Sequence, residues 1–274
     1  MDFLSITEKD VLANNDIRIM PVDTAEDMYN EMVRLSVNKI KENNSLGKRT
    51  SLILPVGPTG QYRRLARVIN MEKIDCSGLV TINMDEYLDE KDRYIPRDHP
   101  LSFRGFMDKN FFGLIEPELK VRQENIHFPD PREPEKIGEL VDSLGGSDIC
   151  FAGIGINGHI AFNESMDEGS ITVEEFRKLK TRTLELAQST VYVNGSLFAK
   201  GHTEIIPPRC ITIGMDEILK SHEIVCCLEY IFQSAVVRKM AVLGPTPGFP
   251  ATFVKEHSNS YIIATKDVLE DYSL

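Results

Sequence analysis

The chain has 274 residues, a formal net charge of −11 and a hydrophobic fraction of 42%, enough length to bury a large core at a composition ordinary for a globular protein. No stretch approaches the roughly 18 consecutive apolar residues of a membrane span, and Met1-Asp2-Phe3-Leu4-Ser5 lacks the basic start and apolar run of a signal peptide. The excess of acid disfavours nucleic acid or an anionic membrane as partner, because both are held by clustered Lys and Arg. The expectation is a cytoplasmic protein with one domain over 1–274.

In chain order, residues 17–22 alternate as a first strand, and Asp23 stands three before Glu26 as a capping-box-like start to a helix. Met28, Met32 and Leu35 set the apolar face of that helix to about Lys41, and Asn43, Asn44 and Gly47 end it. Ser51-Leu52-Ile53-Leu54-Pro55-Val56 reads as a buried strand, and Gly57-Pro58-Thr59-Gly60 turns it into a helix carrying Tyr62, Leu65, Ala66 and Ile69. Loop amides at a helix N-terminus point N–H donors outward, so Gly57, Pro58, Thr59 and Gly60 form a candidate anion-binding turn. The P-loop and dinucleotide fingerprints are both absent there.

Residues 78–83 form a third buried strand that runs directly into Met84-Asp85-Glu86-Tyr87. Carboxylates at the end of a buried strand either serve as a base in a cleft or are capped by donors. A charged, proline-rich loop follows to about Pro100, then a helix with Phe103, Phe106, Met107, Phe111 and Leu114, a surface connection over 129–137, and a short helix to about Leu144.

Residues 147–152 read as a central strand, followed by the densest run of chemistry in the chain: Gly153-Ile154-Gly155-Ile156-Asn157-Gly158-His159-Ile160-Ala161-Phe162-Asn163-Glu164. A glycine-rich loop leaving the carboxyl end of a strand is where open α/β sheets place ligands. Residues 165–200 are polar and read as a lid, with a short helix over 173–179. Strands are expected at 210–214, 223–228 and 261–265, with helices around 215–220 and 231–243. Strands alternating with helices over the whole length predict a Rossmann-like α/β fold, a mainly parallel sheet with helices on both faces. Loops at strand carboxyl ends then share one side of the sheet and form one site. Five cysteines, Cys76, Cys150, Cys210, Cys226 and Cys227, include no C-x-x-C pair and are expected as buried thiols, neither disulfides nor a zinc site.

Asn83-Met84-Asp85-Glu86-Tyr87, the run from Gly155 to Glu164, the 54–60 turn and Pro207-Pro208-Arg209-Cys210-Ile211-Thr212-Ile213-Gly214 together resemble the glucosamine-6-phosphate deaminase/isomerase family. The more distantly related phosphogluconolactonases share a G-x-G-x-D-G-H core but do not normally continue with A-F-N-E. The resemblance implies a Rossmann-like fold and a reaction on a ring-closed amino sugar phosphate. In it His159 shuttles a proton to or from the ring oxygen with Glu164 orienting the imidazole, a role suited to a group that titrates near neutrality. Asp85 moves a proton between C1 and C2 through an enediol-type intermediate, and ammonia leaves from C2. The catalytic set is thus Asp85, His159, Glu164 and Asn157; the substrate-binding set is Gly57, Pro58, Thr59, Gly60, Glu86, Gly155, Gly158 and Gln233. No metal or other cofactor is required. The partner is a small sugar or sugar phosphate, with homo-oligomerisation possible.

Two departures from the family pattern bear on activity. Asn157 stands where the family has Asp, and in serine-protease triads that acid-to-amide exchange stabilises the wrong histidine tautomer at a large cost in rate. Gln233 falls where the family has a lysine, and Ser196 or Leu197 where it has an arginine. A charge-assisted hydrogen bond to a phosphate is worth about 1.5–3 kcal/mol, and Arg63, Arg64 and Arg104 are the candidate replacements. Two alternatives therefore stand beside the deaminase reading: an isomerase or deaminase acting on a sugar without phosphate or with another anion, and a non-catalytic sugar-binding paralogue.

Overall fold

The computed structural model describes residues 3–14 and 16–272. Met1 and Asp2, part of the start read above, lie outside the described residues. Among the described residues ten strands run in chain order: β1 (Arg18–Val22), β2 (Thr50–Leu54), β3 (Leu79–Asn83), β4 (Asp85–Leu88), β5 (Ile126–His127), β6 (Ile149–Gly153), β7 (Arg182–Glu185), β8 (Arg209–Thr212), β9 (Ile224–Leu228) and β10 (Ser260–Thr265). Seven form a wholly parallel sheet in the order β1-β10-β9-β6-β2-β3-β5. Every residue of β2, β3 and β9 is buried, as the unbroken apolar runs of a sheet covered on both faces require. Separate apolar clusters occupy the two faces, one around Ile53, Ile82, Cys226 and Ile262, the other around Leu52, Leu54, Phe151 and Ile263. Consecutive residues of a strand point to opposite faces, so Leu52 and Ile53 belong to different cores. All five cysteines are buried free thiols, and no helix among the described residues is long and apolar enough to cross a membrane.

The helices that matter for the site are α1 (Ala25–Ser45), α2 (Gln61–Glu72), α3 (Phe103–Asn110), α4 (Gln188–Phe198) and α5 (Gln233–Val242). The cap of α1 lies one residue beyond the Asp23/Glu26 pair read from sequence. Thr24 is the N-cap and Asp27 closes the capping box, each side chain bonding the other's backbone N–H.

One feature departs from a single main sheet. The strand expected at 210–214 leaves it: β8 is the centre of a second, antiparallel sheet in the order β4-β8-β7, pairing Asp85 with Thr212 and Thr212 with Arg182. This small sheet braces the glycine-rich loop after β6. Thr212 Oγ1 accepts from Phe162 N (2.9 Å), Asn163 Nδ2 donates to Ile213 O (2.9 Å), and Arg182 Nη1 donates to Asn163 Oδ1 (2.8 Å). Asp85 and the 153–164 loop are therefore positioned by the same strand. Within 165–200 the chain forms a short helix at Val173–Arg177, then β7, then α4.

Candidate active site

Four strands adjacent in the main sheet, β9, β6, β2 and β3, send their carboxyl-end loops to one cavity. Gly57 and Pro58 line it from the loop after β2, Asp85 from the first residue of β4 just beyond β3, Gly155 and His159 from the loop after β6, and Glu229, Tyr230 and Gln233 from the turn after β9 and the start of α5. Helix α4 closes one side with Thr190, Val193, Asn194, Leu197 and Phe198.

Asp85 is 7% exposed and faces this cavity. Burial pushes its carboxyl well above the usual carboxylate range, and the neighbouring Glu86 charge adds to the shift. His159 stacks across Gly155, where a Cβ would meet the imidazole at 2.0 Å, so this position excludes any other residue while the ring keeps its place.

Behind the ring is a chain of hydrogen bonds whose directions can be assigned. Asn157 Nδ2 donates to Glu164 Oε2 (2.6 Å), and Asn157 Oδ1 lies 2.8 Å from His159 Nδ1. The carboxylate takes the amide's NH2 end, so the carbonyl end must face the imidazole. A neutral ring then carries its proton on Nδ1 and leaves Nε2 as acceptor. Glu164 Oε2 also lies 3.3 Å from Nδ1, as does the Thr190 hydroxyl, and Glu164 Oε1 accepts from Ala187 N (3.1 Å). Burial works against the Glu164 charge, but the donors His159, Asn157 and Thr190 outweigh it and hold the carboxyl below its usual value. The tautomer expected to be lost with an amide at position 157 is thus retained. An amide costs the tautomer where its NH2 end faces the imidazole, and here Glu164 holds that end away from the ring.

Other residues singled out from sequence fall elsewhere. Thr59, Gly60 and Gly158 do not line the cavity. Glu86 does not face it either: fully buried, it accepts from Ser102 Oγ (2.9 Å), Phe103 N (3.0 Å), Arg104 N (2.9 Å) and Arg104 Nε (3.1 Å), capping the start of α3. Adjacent strand residues point in opposite directions, so Asp85 and Glu86 cannot both enter one cleft. Glu86→Ala is expected to cost roughly 3 kcal/mol of stability, because it strands a half-buried guanidinium and three donors at a helix start; a urea unfolding midpoint checks it. Gln233 lines the cavity but is committed, its Oε1 accepting from Glu229 N (2.7 Å) and Tyr230 N (2.8 Å) and its Nε2 donating to Ile154 O (2.8 Å). Sequence reasoning missed Thr190, Asn194, Glu229 and Tyr230; a carboxylate directly after the apolar run 224–228 repeats the signal that exposed Asp85.

A parallel sheet whose carboxyl-end loops bring a buried carboxylate and an oriented imidazole into one cavity defines an α/β enzyme fold suited to moving protons on a small polar substrate. No family model matches the chain. It is 30% identical over 247 residues to a glucosamine-6-phosphate deaminase of Thermoanaerobacter sp. (strain X514), covering 87% of this chain and 90% of that one, and 31% identical to glucosamine-6-phosphate deaminase 2 of Bacillus subtilis (86% and 91%). Among solved structures, a monomeric glucosamine-6-phosphate deaminase of the NagB superfamily superposes with a TM-score of 0.76 at 27% identity, over 91% of this chain and 98% of that one. A 6-phosphogluconolactonase from Thermotoga maritima shares the fold alone, with a TM-score of 0.64 at 16% identity over 90% of this chain and 99% of that one. The chain belongs to the glucosamine-6-phosphate deaminase family of enzymes.

Proposed function

We propose that the protein isomerises and deaminates an amino sugar, glucosamine 6-phosphate or a close analogue, to the corresponding ketose and ammonia. The observation that carries this reading is the pairing of Asp85 and His159 on one cavity, the first with a raised pKa and the second with Nε2 as its free acceptor.

The ring-closed sugar binds with its anomeric carbon toward His159. Nε2 accepts the proton of the anomeric hydroxyl and returns it to the ring oxygen as the C1–O5 bond breaks, leaving the open-chain aldehyde. Asp85 then removes the C2 proton to give an enediol-type intermediate and delivers a proton to C1. The nitrogen at C2 is left as an iminium, which adds water and expels ammonia as the C2 ketone forms. A carboxylate with a pKa raised by burial is a stronger base than an exposed aspartate, which suits a carbon acid. Asn157, Glu164 and Thr190 act through His159 as positioning residues. Residues 165–200 serve as the cover of the site, with α4 the part that meets the substrate.

Ammonia release and ketose formation, measured on the purified full chain with glucosamine 6-phosphate and with free hexosamines, test the reading. Equal amounts of ammonia and ketose from at least one of them are expected; no ammonia from any, by a folded protein, rejects catalysis in favour of a sugar-binding paralogue.

A further inference from the structure

The end of the cavity remote from Asp85 and His159 is built without a cation. Among the described residues, none that lines the cavity as a whole is Lys or Arg, and the carboxylates in the cavity wall are Asp85 and Glu229. The three arginines that sequence offered for an anion are all engaged elsewhere. Arg63 donates to Asn110 Oδ1 (2.9 Å); Arg64 bonds Gly60 O and Glu26; Arg104 holds Glu86 and Ile95 O while lying over the Tyr94 ring.

The backbone donors beside Glu229 do not fill the gap. At the turn after β9 the amides of Glu229 and Tyr230 already donate to the Gln233 carbonyl oxygen, so the amides in front of α5 are satisfied within the protein. At the start of α2 the Tyr29 ring lies across Gly60, where a Cβ would fall 2.2 Å from it, and the Tyr29 hydroxyl reaches over to donate to Glu229. The turn before α5 is therefore occupied by an amide side chain, while the turn before α2 is covered at Gly60 by an aromatic ring and brings no cation to the cavity.

What remains at that end is an acceptor among aromatic faces. Glu229 Oε2 takes the Tyr29 hydroxyl, while Oε1 is buried with no hydrogen-bond partner among the described residues, although the Tyr230 hydroxyl lies near enough to influence its titration. Burial raises the Glu229 carboxyl and donation from Tyr29 opposes the rise. Tyr230 and Phe232 stack at 5.7 Å with their planes 8° apart, and Leu197 and Phe198 of α4 add apolar surface. The Glu229 carboxylate is part of the cavity wall, and a sugar hydroxyl is a donor that suits it. A phosphate dianion would meet a like charge with no cation to offset it.

We propose that the sugar turned over by this site carries no anionic group at the end remote from its reacting carbons: an unphosphorylated hexosamine whose distal hydroxyl donates to Glu229. The inference rests on the deaminase reading of the same site and narrows its substrate class. The resemblance to deaminases of a phosphorylated sugar lies in the proton-transfer half of the cavity; the other half is rebuilt.

The test compares kcat/KM for ammonia release from glucosamine and from glucosamine 6-phosphate with the full chain, alongside thermal shifts produced by each sugar and by inorganic phosphate. Glucosamine is expected to be favoured by at least about tenfold and to stabilise the protein where inorganic phosphate does not. Glu229→Gln is expected to shrink the preference about tenfold, and Glu229→Gly with Gln233→Lys to reverse it. A preference of the wild-type chain for glucosamine 6-phosphate overturns the inference and leaves the deaminase reading standing. Turnover of neither sugar overturns the deaminase reading, and the thermal shifts then decide the inference alone. Stabilisation by the phosphate ester, or by neither sugar, rejects it.

Discussion

Asp85→Asn is expected to abolish ammonia release, lowering kcat by about a thousandfold or more, within the 10²–10⁴ range for loss of a general base, while the thermal shift produced by substrate persists. The side chain keeps its volume and loses only the capacity to take a proton from carbon. The same burial that makes Asp85 a strong base also makes it a cost to the fold. Its folded pKa lies above its unfolded value, so between the two the native state binds more protons and stability falls as pH rises. The amide removes that effect, and Asp85→Asn is expected to melt no lower than the wild type at pH 7 and higher at alkaline pH. Activity runs the other way with pH. The base must be ionised, so kcat/KM climbs as pH rises through a value above the usual carboxylate range. An inactive variant that is also markedly destabilised would mean that Asp85 is structural.

The second large effect is expected from an exchange of positions 157 and 164. Glu164 uses one oxygen on Ala187 N and the other on the Asn157 amide. A glutamine there supplies a single acceptor oxygen, so satisfying Ala187 N turns its NH2 group on Asn157. The Asn157 amide then flips, presents its own NH2 to His159 Nδ1, and forces the proton to Nε2. Glu164→Gln is thus expected to lower kcat by about 10²–10⁴, the scale of a wrong-tautomer triad, with a smaller change in KM. Adding Asn157→Asp restores every donor and acceptor: the new carboxylate at position 157 accepts from both His159 and the new amide at position 164, whose carbonyl oxygen accepts from Ala187 N. The double variant is expected within about tenfold of wild type on the same scale. A double variant no more active than Glu164→Gln would show that the pair does not act by orienting the imidazole.

The main sheet was legible because its central strands are short, continuous apolar runs, and 51–56, 78–83, 147–152, 223–228 and 261–265 each coincide with an observed strand to within one or two residues. What was not legible depends on pairing. Asp85–Leu88 and Arg182–Glu185 carry too much charge to read as buried strands, and Ile126–His127 is only two residues long; each is a strand because a neighbour offers a free edge. Residues 210–214 read as a strand, but nothing in Cys210-Ile211-Thr212-Ile213 says that it joins a different sheet. Asp85 and His159 were legible as cavity residues because each lies in a segment that leaves the carboxyl end of a buried strand. Glu86 was misread for lack of one fact, which face of β4 it lies on. Of the 57–60 turn, Gly57 and Pro58 line the cavity, and what covers Gly60 depends on a distant residue: the ring over it belongs to Tyr29 on α1, thirty-one positions earlier.

The central claim is that a proton moves between C1 and C2 on Asp85 before ammonia leaves. Glucosamine deuterated at C2 tests it most directly, with the phosphate ester as a second substrate. The account predicts slowed ammonia release and a ketose product that carries some of the deuterium at C1. Ammonia released with the deuterium still on C2, as in direct displacement of the amine by water, would contradict it.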